Sequence, residues 1–295
     1  MIVLRAQALG MCFGVRDALA MAAKVERPRE TSIYGELVHN EEVLDDLARR
    51  GFKSLSESER GQIPSSRQIL ITAHGISGRE KNRLARAGKY LIDASCPLVR
   101  HVHEAARRLD RLGYFVVVIG KPHHVEVRGI VGDLDRYAVV AKPEDARVWD
   151  APRLGIVCQT TTPPREAIRI RAAIRAMNPG KEIRYIDTIC RPTRERQEAA
   201  LELLERVEAL VVVGGKHSNN TRQLAALAES RRIPVLHVQG PDDLDPEWFA
   251  PFEIVGLTAG TSTLDHTVDE VHDALLAMNP NILTHAKGEI HEESA

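Results

Sequence analysis

The stretch Tyr114-Phe115-Val116-Val117-Val118-Ile119-Gly120-Lys121-Pro122-His123-His124-Val125-Glu126 is a continuous apolar run that ends at a glycine and opens into histidines and a carboxylate. An apolar run without alternation fits a strand covered on both faces, the habit of parallel sheets. The same form recurs in Ile69-Leu70-Ile71, Leu154-Gly155-Ile156-Val157, Leu210-Val211-Val212-Val213 and Ile254-Val255-Gly256-Leu257. Helical periodicity separates these runs, over 16–25, 40–50, 99–112, 165–177, 194–207, 221–230 and 267–278. Strand alternating with helix predicts an α/β protein built of βαβ units with mainly parallel sheets.

In such sheets a ligand site lies beyond the carboxyl ends of the strands. The residues found there are Val38-His39-Asn40, Ala73-His74-Gly75, Ser95-Cys96-Pro97, His124-Val125-Glu126, Cys158-Gln159-Thr160-Thr161, Ile189-Cys190, Ser218-Asn219-Asn220 and Gly260-Thr261-Ser262. Cys12, Cys96 and Cys190 stand 84 and 94 residues apart, each near a strand end. That spacing predicts three pseudo-equivalent α/β units. The first, 1–97, holds Cys12 and Cys96. The second, 98–190, holds His124 and Glu126 and ends at Cys190. The third, 191–284, holds the Ser218-Asn219-Asn220 and Ser262 turns, and a polar tail covers 285–295.

Composition narrows the class. Forty Lys+Arg against 41 Asp+Glu leave a net charge of −1, so no field attracts nucleic acid or an anionic membrane. No apolar run approaches the roughly 20 residues of a membrane span, and the N-terminus lacks the pattern of a signal peptide. The expectation is a soluble cytoplasmic protein. P-loop, GxGxxG, GxSxG and HExxH motifs are all missing, which argues against the chemistries they support. The four cysteines form no CxxC pair, so no zinc ribbon is expected.

The strand-end residues suit an anion. Histidines, Ser and Asn in turns that precede helices supply donors, and helix N-termini bind phosphate groups. Taken singly, each Ser or Asn reads as a plain N-cap and each His as a structural imidazole; together at successive strand ends they read as a site. Thiols at an anion-binding rim point to iron–sulfur chemistry rather than a Cys nucleophile, which needs one thiol and not three. Two other readings stand beside an enzyme: a non-catalytic iron–sulfur or diphosphate sensor, and a three-Cys zinc protein.

These motifs, running in order from Gly10-Met11-Cys12-Phe13-Gly14-Val15 to Ala259-Gly260-Thr261-Ser262 with Arg196-Gln197 among them, resemble the 4-hydroxy-3-methylbut-2-enyl diphosphate reductase family. The resemblance implies a trefoil of three α/β units around a central cluster cavity. It implies a [4Fe–4S] cluster held by Cys12, Cys96 and Cys190, with one iron free for substrate, while Cys158 stays a core thiol. It assigns the substrate's diphosphate to His39, His74, His124, Ser218, Asn219, Asn220 and Ser262, with Thr160 also at the substrate. Glu126, aided by Thr160 and beside His124, would supply the proton with which the substrate's hydroxyl leaves as water. The electron donor implied is a ferredoxin or flavodoxin. The chain departs from the family pattern at Val125, at Arg191-Pro192, at Asn219 and at Leu264, none of which removes a thiol or the proton donor. Glu126 and His124 are expected on an extended or turn segment from which both reach one cavity.

Overall fold

The computed structural model describes residues 1–278, so the tail expected at 285–295 lies outside the described residues. In chain order the elements are β1 (Ile2–Arg5), α1 (Phe13–Ala23), β2 (Thr31–Ile33), α2 (Glu41–Arg49), β3 (Lys53–Ser54) and β4 (Gln68–Ile71). There follow α3 (Gly78–Arg86), β5 (Tyr90–Asp93), α4 (Pro97–Arg111), β6 (Phe115–Ile119), α5 (Val125–Val131), β7 (Tyr137–Val140), β8 (Arg153–Cys158) and α6 (Pro164–Met177). The remainder are β9 (Glu182–Tyr185), α7 (Arg191–Leu204), β10 (Ala209–Val213), α8 (Asn219–Ser230), β11 (Val235–Val238), α9 (Pro246–Phe249), β12 (Ile254–Ala259) and α10 (Asp265–Ala277).

The strands form three four-stranded sheets, β3-β2-β4-β5, β7-β6-β8-β9 and β11-β10-β12-β1, and every pairing is parallel. All three follow one plan: the first strand lies inside, the second at one edge, the third inside, the fourth at the other edge. In the third sheet the fourth place is filled by the chain's own N-terminal strand, with Ile2 opposite Ile254 and Arg5 opposite Leu257. The three segments read from the sequence therefore differ from the sheets at one point, because β1 lies within 1–97 yet pairs with β12.

Two compact units result. Cys12–Arg194, the middle unit, contains the first two sheets; Met1–Met11 with Glu195–Ala295, the terminal unit, contains the third. In the middle unit β6 shows why the sequence runs unbroken: Val117 and Ile119 pack into one core while Val116 and Val118 pack into another. The terminal unit repeats this, with Val211 and Val213 on one face of β10 and Leu210 and Val212 on the other. Burial on both faces removes the polar half of the strand pattern. Gly155 of β8 lets α4 approach the sheet closely, since a Cβ there would lie 2.9 Å from the Leu109 methyl carbons. Among the described residues no helix is long and apolar enough to cross a membrane.

One expectation about the site is corrected. Glu126 lies not on an extended segment but in the first turn of α5, with His124 as its N-cap. The helix Val-Glu-Val-Arg-Gly-Ile-Val carries three β-branched valines and a glycine, all poor helix formers, so it depends on the packing of Val127 and Ile130 into the core.

Candidate active site

The loops leaving the inner strands of the middle unit bring three imidazoles together. His39 precedes Asn40, whose side chain caps α2 by accepting from the Val43 N–H at 3.0 Å. His74 sits in the turn after β4, closed by the Gly75 N–H donating to the Thr72 carbonyl at 3.0 Å, and Gly75 takes φ +68°, a backbone conformation suited to glycine. His124 caps α5, its Nδ1 accepting from the Glu126 N–H at 3.2 Å, which leaves Nε2 to carry the ring proton. The His39 and His74 rings stack with centroids 4.3 Å apart, and the His124 ring stands edge-on to both at 5.6 and 5.7 Å. His39 Nδ1 is 2.7 Å from Glu36 Oε2. Burial, followed by the neighbouring His39 and His124, holds His74 well below the usual imidazole range. A bound anion reverses that balance, because it stabilises the protonated forms.

Beside the imidazoles lies a buried carboxyl. Glu126 is 2% exposed. Its Oε1 accepts from the Thr160 N–H at 2.7 Å and its Oε2 from the Thr160 hydroxyl at 2.8 Å. Burial pushes Glu126 up to about 7, against the Thr160 hydrogen bonds, which favour the anion. A carboxyl poised near neutrality can give up a proton at physiological pH. Val125, where the family pattern has proline, is the first residue of α5 and is buried.

The three thiols come from equivalent places. Cys12 is the N-cap of α1, Cys96 the N-cap of α4, and Cys190 directly precedes α7. The Cys96 N–H donates to the Ala73 carbonyl and the Cys190 N–H to the Thr160 carbonyl, each at 3.0 Å, so matching turns hold matching cysteines. Gly14 allows the approach of α1 to α4, since a Cβ there would lie 2.5 Å from Cys96 Sγ. Burial raises the Cys96 thiol and pushes Cys190 up to about 11. Both also feel Cys12 and Glu126, which places the thiols and the carboxyl in one neighbourhood. Cys190 Sγ lies 3.1 Å from the Thr193 hydroxyl. All three cysteines are free and partly exposed, whereas Cys158 is buried at the end of β8 within the core, its thiol pushed up to about 12. Among the described residues no group of three His, Cys, Asp or Glu is placed to hold a single metal ion.

The terminal unit supplies uncharged donors at its own strand ends. Ser218 caps α8, its hydroxyl accepting from the Thr221 N–H at 3.3 Å. Asn219 and Asn220 are buried in the first turn of α8. Asn220 Oδ1 accepts from the Thr261 N–H at 3.0 Å, while its Nδ2 is buried with no partner, a donor left for a ligand. Ser262 lies in the turn after β12 that the Thr263 N–H closes onto the Gly260 carbonyl at 3.1 Å. Leu264 occupies the N-cap position of α10 without a side-chain cap.

Three supporting residues were not among the sequence candidates. Arg60, with a side chain 6% exposed, pairs with Glu57 at 3.0 Å and donates to the Thr72 hydroxyl at 2.8 Å, bracing the His74 turn. Thr193 is legible only as the position three residues after Cys190 in the first turn of α7. Within the terminal unit Arg196, noted in the sequence only as part of a motif, donates to the Gly10 carbonyl from Nη2 at 2.6 Å and Nε at 3.0 Å, fixing the loop ahead of Cys12.

Comparison with known proteins shows the family. The LytB protein family matches residues 3–276. A protein of Dictyoglomus thermophilum named 4-hydroxy-3-methylbut-2-enyl diphosphate reductase is 37% identical over 283 residues, covering 95% of this chain and 98% of its own. One of the same name from Aquifex aeolicus is 33% identical, covering 91% and 94%. The solved structure of (E)-4-hydroxy-3-methyl-but-2-enyl diphosphate reductase, the terminal enzyme of the non-mevalonate pathway, is 33% identical with a TM-score of 0.65, covering 94% and 100%. The Plasmodium falciparum reductase structure, at 24% identity, shares the fold, with a TM-score of 0.84 over 95% and 88% of the two chains. By full-length similarity to these reductases and by the family match, the chain belongs to the LytB family.

Proposed function

We propose that the chain is an oxidoreductase that reductively dehydroxylates 4-hydroxy-3-methylbut-2-enyl diphosphate to isopentenyl diphosphate and dimethylallyl diphosphate. Two electrons and two protons enter, the carbon–oxygen bond breaks, and water leaves. Cys12, Cys96 and Cys190 would hold a [4Fe–4S] cluster, which when bound supplies the electrons and an open Lewis-acidic iron. A ferredoxin- or flavodoxin-type protein would be its electron donor.

The chain's own residues do the rest. His39, His74 and His124 bind the diphosphate, His124 through its Nε2–H, since its Nδ1 accepts from the Glu126 N–H. Ser218, Asn219, Asn220 and Ser262 are assigned to the same diphosphate as uncharged donors, the role for which Asn220 keeps an unpartnered Nδ2. Glu126 holds its proton at the carboxyl and passes it to the departing hydroxyl, because hydroxide is a poor leaving group and water a good one. Thr160 aids this step by orienting that carboxyl, its N–H donating to Oε1 and its hydroxyl to Oε2.

The observation that carries this reading is a buried carboxyl near its working pH beside three imidazoles and three free thiols in one unit. A sensor for the same ligand has no use for such an acid. The test is anaerobic purification with iron and sulfide analysis, then turnover of the hydroxylated allylic diphosphate with dithionite and a redox mediator. We expect about four irons per chain and formation of both five-carbon diphosphates. Iron-loaded protein that binds the substrate and never turns it over would make the chain a sensor.

A further inference from the structure

We propose that His103 is a positioning residue for the reaction, a buried imidazole wedged between the turn that carries His74, the helix that carries Glu126 and the helix capped by Cys96. The proposal rests on the roles given above to His74 and Glu126.

His103 lies two turns beyond Cys96 on the same face of α4, and that face lies along the His74 turn. Along it the Cys96 N–H bonds the Ala73 carbonyl, and at Gly75 a Cβ would lie 3.4 Å from Val99 Cγ1 and 3.7 Å from His103 Nε2. On its other side His103 meets Gly129, one turn after Glu126 in α5. A Cβ at Gly129 would lie 3.1 Å from His103 Cε1, 3.4 Å from its Nε2 and 3.6 Å from the Gly75 carbonyl oxygen. The absence of a side chain at 129 therefore sets how closely the acid-bearing helix approaches the imidazole-bearing turn, with His103 as the spacer. Gly132 continues the contact, since a Cβ there would lie 2.8 Å from that of Ser77.

The spacer is an unusual one. His103 is 7% exposed and its Nε2 is buried with no partner, an arrangement that an apolar residue would improve for stability alone. Burial lowers it to about 4, against Asp133, so the ring is uncharged near neutral pH. A cavity of about 290 Å³ opens beside it, lined among others by Ser95, Lys81, Asp93 and Arg107. Shrinking the ring therefore leaves room for the turn and the helix to move rather than a sealed void.

The experiment measures kcat, KM and iron content for His103→Ala, His103→Phe, Gly129→Ala and the double variant His103→Ala/Gly129→Ala. His101→Ala, an exposed neighbour on α4, serves as control. Displacement of an acid by a fraction of an ångström to one ångström lowers kcat by about 10- to 100-fold. We expect such a fall, with raised KM and unchanged iron per chain, in His103→Ala and in Gly129→Ala. The double variant should exceed Gly129→Ala alone, because the new methyl enters the space that the imidazole vacates. His103→Phe should retain more kcat than His103→Ala. A merely structural role reduces the active fraction and leaves KM where it was. Normal kinetics in His103→Ala or Gly129→Ala, or losses that track iron content and add in the double variant, would overturn the proposal. Should His103→Ala fail to fold, Gly129→Ala and His103→Phe decide alone. Glu126→Gln run in parallel separates the two layers: full turnover there removes the acid assignment, while its loss beside a normal His103→Ala removes only this inference.

Discussion

Beyond β6 the fifth residue is His124, which caps α5 and is followed two places later by Glu126. Beyond β10 the fifth residue is Ser218, which caps α8 and is followed two places later by Asn220. Likewise the third residue beyond β4 is His74 and the third beyond β12 is Ser262. One backbone device thus presents titratable groups in the middle unit and uncharged donors in the terminal unit. The difference separates two tasks that a strand end can perform. Donors that never change charge can hold an anion at any pH, whereas imidazoles and a carboxyl near 7 can also move protons. The three free thiols proposed to hold the cluster belong to the middle unit as well, so on that proposal the electron and proton chemistry share one unit.

The sharpest way to break this comparison is to remove the thiols. Cys12→Ser, Cys96→Ser and Cys190→Ser should each lose or degrade the cluster and with it turnover, while Cys158→Ser keeps both. Iron per chain after anaerobic purification reads the result, and a colourless Cys158→Ser protein would refute the division between the three and the fourth.

Next in size is the acid. Glu126→Gln can still accept from the Thr160 N–H and can donate its amide to the Thr160 hydroxyl oxygen, but it cannot transfer a proton, so turnover should fall by about 10²–10⁴ with the iron retained. The sign of the pH effect follows from the raised carboxyl. Its proton is present below about 7 and is lost as pH rises through that value. The parent should therefore lose rate on the alkaline side, and the residual activity of Glu126→Gln should lack that limb. Near-normal turnover in the variant would take Glu126 out of the proton path.

The smallest effects sharpen the contrast between the two units. Replacing His39, His74 or His124 by Ala should weaken diphosphate binding by about 10- to 150-fold, the range for hydrogen bonds to charged groups of roughly 1.5–3 kcal/mol. Ser218→Ala or Ser262→Ala should cost about 2- to 12-fold, the neutral range of roughly 0.5–1.5 kcal/mol. Because His74 is held well below its usual range when the site is empty, anion binding should be accompanied by proton uptake and weaken as pH rises. Calorimetry of pyrophosphate binding in buffers of different ionisation enthalpy measures this uptake. His74→Ala should reduce it and Ser262→Ala should leave it intact. Equal proton uptake in every variant would erase the distinction between the units.

Much of the architecture was legible because burial on both faces writes itself into the chain as unbroken Val and Ile runs, as at 115–119 and 209–213. Helices with a broad apolar face, such as α4, were legible through their period. α3 was not: Gly-Arg-Glu-Lys-Asn-Arg-Leu-Ala-Arg buries only Leu84, too little to mark a stripe. The segment of α5 was expected to be extended or a turn; its β-branched residues favour strands, and its contacts make it helical. The place of β1 was hidden for another reason. An edge strand looks the same whichever sheet receives it, and its partner β12 lies some 250 residues away along the chain.

What the amino-acid order determined by itself is chemical: which side chains stand at strand ends, that three thiols recur at comparable spacing, and that imidazoles and amides surround them without an acidic metal motif. What only the tertiary structure decided is their state and company. Glu126 is an acid near neutrality because burial disfavours its anion more than two Thr160 hydrogen bonds favour it, and Thr160 arrives from 34 residues away. Cys190 stands with the other free thiols and Cys158 apart from them because one ends at a loop and the other in a core. Desolvation and contact depend on the packing of segments distant in sequence, so no local pattern encodes them.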